Sequence, residues 1–282
     1  MLGFLRLCIG GRGLGNGPMA SSFSSASSDM LPHRSLPFSG AEIDCSALNV
    51  DEKDFGAALH RTVEDMKGMD KQAVFLKIGM THSHYIPAAG LQGFRYHHAE
   101  GDVATLMRWL PEARGLECKV PPFGTHMAGV AGAIVRDGQL LVVREKSKMN
   151  NWKLPGGYVD LNEDLSTAAV REVREELSID TTFRSLLAFR NQHKVQWGRD
   201  DIYAVCRLDM VDPSQEVVID EEIDDAAWMD IGAFKEQNKN KMLDYVADLL
   251  ESNHPGLMES KLESTVPNRR PYMFYHPVSC SN

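Results

Sequence analysis

Apolar positions recur every four residues at Leu165, Ala169, Val173 and Leu177, the repeat of one helix face. Neither Pro nor Gly interrupts residues 158–177, so the spacing predicts a helix, with Asn162 as N-cap and Glu163 and Asp164 in the first turn. KDFGAALHRTVEDMKGM (residues 53–69) and KNKMLDYVADLL (239–250) carry the same amphipathic repeat. A short helix is expected within 83–94. Short apolar or alternating runs predict strands at 73–78, 94–100, 103–110, 183–191, 201–210 and 226–230. The runs at 130–135 and 140–143 flank Asp137-Gly138, a dipeptide that favours a tight hairpin turn.

The material changes along the chain. Residues 1–40 are rich in Gly and Ser, contain Arg6, Arg12 and Arg34, and have no acid before Asp29. MLGFLRLCIGGRG has an apolar face with arginines, which fits a mitochondrial presequence; its glycines fit a disordered leader equally well. Gly10, Gly11 and Arg12 break the apolar stretch that a secretory signal needs. Residues 41–120 alternate helix and strand and predict a small α/β domain. Pro111, Pro121, Pro122 and Gly124 mark a linker. Residues 125–255 form a second α/β domain, which leaves 256–282 as a C-terminal tail. Neighbours on a strand face opposite sides, so His97 and His98 are expected to be one packed and one exposed, and not to share a metal.

Composition narrows the function classes. The 282 residues are 43% hydrophobic and 24% charged, as in ordinary globular domains. A net charge of −9 without a basic block argues against nonspecific nucleic-acid binding and leaves a small nucleotide open. No apolar run approaches the roughly 18 residues that span a membrane. Cys8, Cys45, Cys118, Cys206 and Cys280 are scattered and odd in number, with no C-x-x-C. That argues against a zinc site or a disulfide framework and fits a reducing compartment.

Glu172, Glu175 and Glu176 need a reason. At about 100° per residue they share one arc beside the apolar stripe, at the helix end where negative charge is disfavoured. Glu172 and Glu176 form an i,i+4 like-charge pair, costing roughly 0.2–0.5 kcal/mol. A merely solvated charged face is the plain reading. A hard divalent cation, Mg²⁺ or Mn²⁺, held by carboxylate oxygens, is the sharper one.

GGYVDLNEDLSTAAVREVREELSI (residues 156–179) resembles the Nudix box, G-x5-E-x7-R-E-U-x-E-E-x-G-U, with U aliphatic. Gly157, Glu163, Arg171, Glu172, Val173, Glu175, Glu176 and Ile179 match, and Ser178 stands where the family has glycine. A non-glycine residue in the left-handed C-cap there costs roughly 1–2 kcal/mol. IPAAGLQGFRYHHAE, LMRWLP and THMAGVAGAIV resemble the pre-Nudix domain of a subgroup that includes plant ADP-ribose/NADH pyrophosphatases. Together the resemblance covers residues 42–250. It implies a Nudix α/β/α sandwich with a mixed sheet, preceded by a small α/β pre-Nudix domain.

The resemblance also implies chemistry. The expected reaction is metal-dependent hydrolysis of a phosphoanhydride in a nucleoside diphosphate linked to another moiety, with ADP-ribose and NADH the leading substrates. Glu172, Glu175 and Glu176 are the expected ligands of Mg²⁺ or Mn²⁺, with the backbone carbonyl of Gly156. Glu163 and Arg171 form a supporting pair. The loop VIDEEIDDAAWMD offers Glu221 and Glu222; the family pattern favours Glu222 as general base or a further ligand, beside the plain reading of a solvated loop. Arg190, Lys194 and Arg199 are candidates for phosphate, Trp197 for stacking on a base, and His193 for hydrogen bonding to substrate. The competing class is a noncatalytic Nudix module that senses nucleotides or binds proteins. The intact acids favour the enzyme; Ser178 and the extra domain keep the module open. A decapping enzyme lacks a basic RNA path. The expected partner is a small nucleotide, with no membrane, and a homo-oligomer stays open. Mitochondrion and cytoplasm are the expected locations, with a nuclear pool compatible.

Overall fold

The computed structural model describes residues 30–146, 151–238, 240–266 and 269–277. They divide between Phe123 and Gly124 into two compact units, each with its own sheet and core. The first unit comprises β1 (Arg34–Leu36), β2 (Gly40–Asp44), α1 (Glu52–Gly68), β3 (Ala73–Gly79), α2 (Ile86–Leu91), β4 (Arg95–Glu100) and β5 (Val103–Trp109). Its sheet order is β1-β2-β3-β5-β4. β2 and β3 run parallel and the other neighbours antiparallel. The α1 stripe of Phe55, Leu59, Val63 and Met66 packs with Ile43, Val74, Leu76 and Ile78 into one buried cluster. These α1 positions are three or four residues apart, the spacing that puts one helix face on a sheet.

Two expectations change here. Most of the anticipated leader, residues 1–29, lies outside the described residues. Its expected end at residue 40 is too late, because Leu31 is already buried, its amide donating to Thr62 Oγ1 at 2.9 Å, and β1 pairs with β2 through a turn at residues 37–39. His97 and His98 do not separate to opposite faces. A bulge in the β4–β5 pairing between Tyr96 and His98 breaks the alternation. Both rings are half-buried, and their Nδ1 atoms lie 2.8 Å apart. His97 Nε2 lies 3.0 Å from the Pro121 carbonyl oxygen, which only accepts. In the neutral pair His97 therefore carries its proton on Nε2, and His98 donates from Nδ1.

The second unit comprises β6 (His126–Arg136), β7 (Gln139–Glu145), α3 (Leu165–Leu177), β8 (Thr181–Gln196), β9 (Arg199–Met210), β10 (Ile223–Asp230), α4 (Ile231–Gln237), α5 (Lys241–Glu251), β11 (Leu257–Leu262) and β12 (Tyr272–Pro277). The sheet order is β10-β7-β6-β9-β8-β11-β12. β6 and β9 are parallel and the other neighbours antiparallel, so the sheet is mixed. Asp137 and Gly138 both have positive φ, 50° and 76°, as the predicted hairpin turn requires. Ala169, Val173 and Leu177 of α3 pack with Val130, Ile134 and Leu208. Phe234 of α4 and Leu243 and Val246 of α5 pack with Ala131, Val142 and Val205, which alternate with the first set. Helices thus cover both faces, giving the α/β/α sandwich.

Residues 256–282, expected as a tail, contain β11 and β12 and extend the sheet beyond β8. The helix cap also moves. α3 begins at Leu165 with Asp164 as N-cap. Asn162 has a left-handed φ of 67° and belongs to the preceding turn. That turn is closed by Glu163 N donating to Asp160 O at 3.1 Å, and the Glu163 carboxylate takes the Asp160 amide at 3.0 Å.

Candidate active site

The loop before α3 lies along β6 as an extra strand would. Gly132 N donates to Pro155 O, Val130 N to Gly157 O and Val159 N to Ala128 O, at 2.9 to 3.0 Å. Gly156 is required by space, and Gly157 lets the Glu172 carboxylate approach the loop. Gly156 has φ of +150°, and a Cβ there would sit 2.1 Å from the Val130 carbonyl oxygen. A Cβ on Gly157 would sit 2.6 Å from Glu172 Oε2. The loop is therefore wedged between the β6 backbone and the carboxylates of α3. The Gly156 amide donates to Glu176 Oε2 at 2.9 Å.

α3 turns Glu172 and Glu176 inward and leaves Glu175 exposed. Glu176 is 9% exposed, and burial pushes its carboxyl up to about 7 against the opposing pull of Lys153 and the Gly156 amide. Burial also raises the Glu172 carboxyl, although Arg171 beside it pulls the other way. Neither shift suits a helix surface optimised for stability alone.

Arg171 is the hub. Its Nε donates to Glu163 Oε1 and its Nη2 to Glu163 Oε2, both at 2.8 Å, in a bidentate fork. Nη1 reaches Glu172 at 2.7 Å and Glu175 at 3.1 Å, and Nη2 also reaches the Tyr158 carbonyl at 3.0 Å. The Arg171 contact holds the Glu163 carboxyl below its usual value. The supporting pair anticipated from the sequence is thus a formed ion pair, and it ties the loop to the helix.

Ser178 closes α3 in the left-handed region, with φ 56° and ψ 27°. Its amide donates to Arg174 O at 2.9 Å, and its carbonyl accepts from Gln215 Nε2 at 2.8 Å. The glycine-like geometry is kept without the glycine. The following loop is docked on the same helix end: Val218 N donates to Leu177 O and Asp220 N to Glu176 O, both at 3.0 Å. Glu221 and Glu222 follow directly in that loop, and the Glu222 carbonyl accepts from Lys146 N at 3.3 Å.

The β8–β9 hairpin holds the other candidates. Arg190 donates to Asp201 Oδ2 at 2.5 Å and lies over the Tyr203 ring, 5.0 Å from its centroid. His193 Nδ1 sits 2.7 Å from Asp200 Oδ2. Both are engaged within the hairpin. Trp197 forms its tip with Gly198, at φ 49° and 71°, and is 70% exposed. Lys194 and Arg199 are exposed beside it. The Tyr158 hydroxyl donates to Gln196 Oε1 at 2.5 Å and so links the hairpin end to the loop beside the acids.

Sequence reasoning missed three residues. Lys153 pairs with Glu145, and the bridge between Val143 and Lys153 sets that pair at the β7 end of the same loop. Tyr158, directly after the glycines, makes the link to the hairpin. The adjacency of Lys153 to Leu154-Pro155-Gly156-Gly157 was the available signal.

The donor set fits a hard divalent cation: carboxylate oxygens, those of the buried Glu176 and the half-buried Glu172 raised, beside a loop with no room for a side chain at Gly156. Among the described residues no three His, Cys, Asp or Glu side chains already converge as a ready ligand cluster. Arg171 Nη1 instead bridges Glu172 and Glu175. Glu172, Glu175 and Glu176 would hold the ion.

The NUDIX domain profile matches residues 126–249, and a Nudix hydrolase domain profile matches residues 31–110. Nudix hydrolase 8 of Arabidopsis thaliana is 32% identical over 254 residues, 86% of this chain and 68% of that protein. The human nucleoside diphosphate-linked moiety X motif 6 protein is 36% identical over 209 residues, 71% of this chain and 64% of its own length. A solved MutT NUDIX hydrolase from Burkholderia pseudomallei is 26% identical, with a TM-score of 0.38, and covers 44% of this chain and 96% of that one.

Proposed function

Because the chain belongs to the Nudix hydrolase family, we propose that it hydrolyses a phosphoanhydride in a nucleoside diphosphate linked to another moiety. Mg²⁺ or Mn²⁺ is the cofactor, and ADP-ribose and NADH are the leading substrates by family resemblance. One observation carries the reading: the buried Glu176 and the half-buried Glu172 are raised acids set against a loop whose Gly156 has no room for a side chain.

When bound, a divalent ion supplies charge neutralisation at the pyrophosphate and a more acidic water. The chain's own residues do the positioning. Glu172, Glu175 and Glu176 provide the oxygen donors. Arg171 and Glu163 fix the helix against the loop, and the Gly156 amide orients Glu176. Water attacks phosphorus and the bridging P–O bond breaks. Glu222, in the loop tethered to the Glu176 carbonyl through Asp220, is proposed to take the water's proton. The left-handed cap kept at Ser178 weakens the case for a noncatalytic module, since the substitution leaves the helix end in glycine geometry.

The test is a screen of the full chain against ADP-ribose, NADH, CoA and capped RNA with Mg²⁺ or Mn²⁺. Turnover of a nucleoside diphosphate derivative is expected, with Glu175→Gln reduced by orders of magnitude. Equal turnover by wild type and Glu175→Gln would remove the proposed chemistry from α3.

A further inference from the structure

We propose that Lys153 is a substrate-phosphate contact, parked on Glu145 until a phosphate displaces that carboxylate. The inference rests on the hydrolase reading and deepens it. Its starting point is placement. The Val143–Lys153 bridge puts Lys153 on the same face as Val143, which packs in the cluster of α3, while the flanking Trp152 and Leu154 pack on the opposite face. Glu145, two residues along β7 from Val143, shares that face and ion-pairs with Lys153. Both side chains remain partly accessible, at 31% and 27%.

The surroundings give the pair a direction. Gly156, three residues beyond Lys153, holds the Glu176 carboxylate. Lys153 is close enough to lower the Glu176 carboxyl while Glu145 raises it. The Glu222 loop borders the other side: Glu145 pairs with Ile223, and Lys146 N donates to the Glu222 carbonyl. Lys153 therefore stands between the α3 acids and the Glu222 loop. A lysine there is a flexible, compact charge that can trade one anionic partner for another. A substrate phosphate, carrying more charge than a carboxylate, is the partner that enters this site. Arg171 and Arg190 are poorly suited to the same task, because both guanidiniums are engaged with carboxylates that position the fold.

The two members of the pair then act with opposite sign. Removing the ammonium weakens diphosphate binding. Removing the tether frees the ammonium and strengthens it. A purely structural ion pair gives the same sign for both. The experiment is calorimetric titration of methylenediphosphonate at saturating Mg²⁺ into full-length wild type, Lys153→Met, Lys153→Arg and Glu145→Gln, with thermal melts to establish folding. Lys153→Met should lose about tenfold in affinity, the equivalent of one charge-assisted hydrogen bond. Lys153→Arg should recover most of it, and Glu145→Gln should bind more tightly than wild type. Where Lys153→Met does not fold, Lys153→Gln makes the same comparison. Wild-type affinity in Lys153→Met, or parallel weakening in Lys153→Met and Glu145→Gln, overturns the assignment and leaves the hydrolase reading intact. A wild type that neither binds the probe nor hydrolyses any nucleoside diphosphate derivative overturns both.

Discussion

The Gly156 amide and the Glu176 carboxylate meet at 2.9 Å, joining the loop before α3 to the helix's last turn. One donor does not replace the hydration a carboxylate loses on burial, so the Glu176 carboxyl stays near 7. In the unfolded chain it titrates near 4.5. Between these values the folded state holds a proton that the unfolded state has released. Protonation therefore favours the fold, and without metal stability falls as pH rises from about 4.5 through 7, by about 3 kcal/mol. Denaturant melts in EDTA across that range check this, and Glu176→Gln should flatten the slope. Glu163, lowered by Arg171, acts with the other sign below the window, its contribution vanishing as the medium becomes more acidic.

Ser178→Gly should stabilise the protein. Relieving the left-handed residue gains roughly 1–2 kcal/mol, and the added freedom of glycine in the unfolded chain offsets roughly 0.5–1 kcal/mol. A net gain of about 1 kcal/mol raises Tm by about 2–4 °C at this chain length. An unchanged or lower Tm would show that the cap carries no strain.

Arg171→Lys should damage both stability and turnover. Lysine keeps the charge and loses the fork that serves Glu163, Glu172 and Glu175 together. A loss of about 1.5–3 kcal/mol in melts is expected for a charged, partly buried hydrogen bond left unmade. Turnover should fall in kcat more than in KM, since the substrate-facing acids remain. Wild-type behaviour would make the pair an ornament of the surface.

Residues 1–29, which carry Arg6 and Arg12 and no acid before Asp29, are proposed to assist mitochondrial import. A reporter carrying them should enter mitochondria; a diffuse cytosolic reporter would refute the import role.

α3 and the Asp137-Gly138 hairpin were legible because their signals are local: a four-residue apolar repeat and a turn dipeptide. β1, β11 and β12 were not, although Ser39-Gly40 and Pro255-Gly256 mark turns beside β1 and β11, because runs this short become strands only through pairing, β1 with β2 and β11 with β12 and β8. The bulge at His97 is a tertiary choice that alternation along one strand does not encode. The α3 cap moved from Asn162 to Asp164 because Arg171 and the Asp160 amide hold Glu163 in the preceding turn. In the site, the spacing of the acids was visible in sequence. The Lys153–Glu145 pair was not, since it joins a strand end to a loop across a bridge.

The most direct test is whether the α3 acids serve a cation or the fold. Thermal melts of wild type and Glu176→Gln, in EDTA and in millimolar Mg²⁺ or Mn²⁺, separate the two. In EDTA near pH 8, Glu176→Gln should melt at or above wild type, because it removes a buried charge and keeps an oxygen for the Gly156 amide. Metal at about 100 times Kd should stabilise wild type by roughly 2.7 kcal/mol and Glu176→Gln by much less. A Glu176→Gln protein clearly less stable than wild type in EDTA, with both responding equally to metal, would contradict the account.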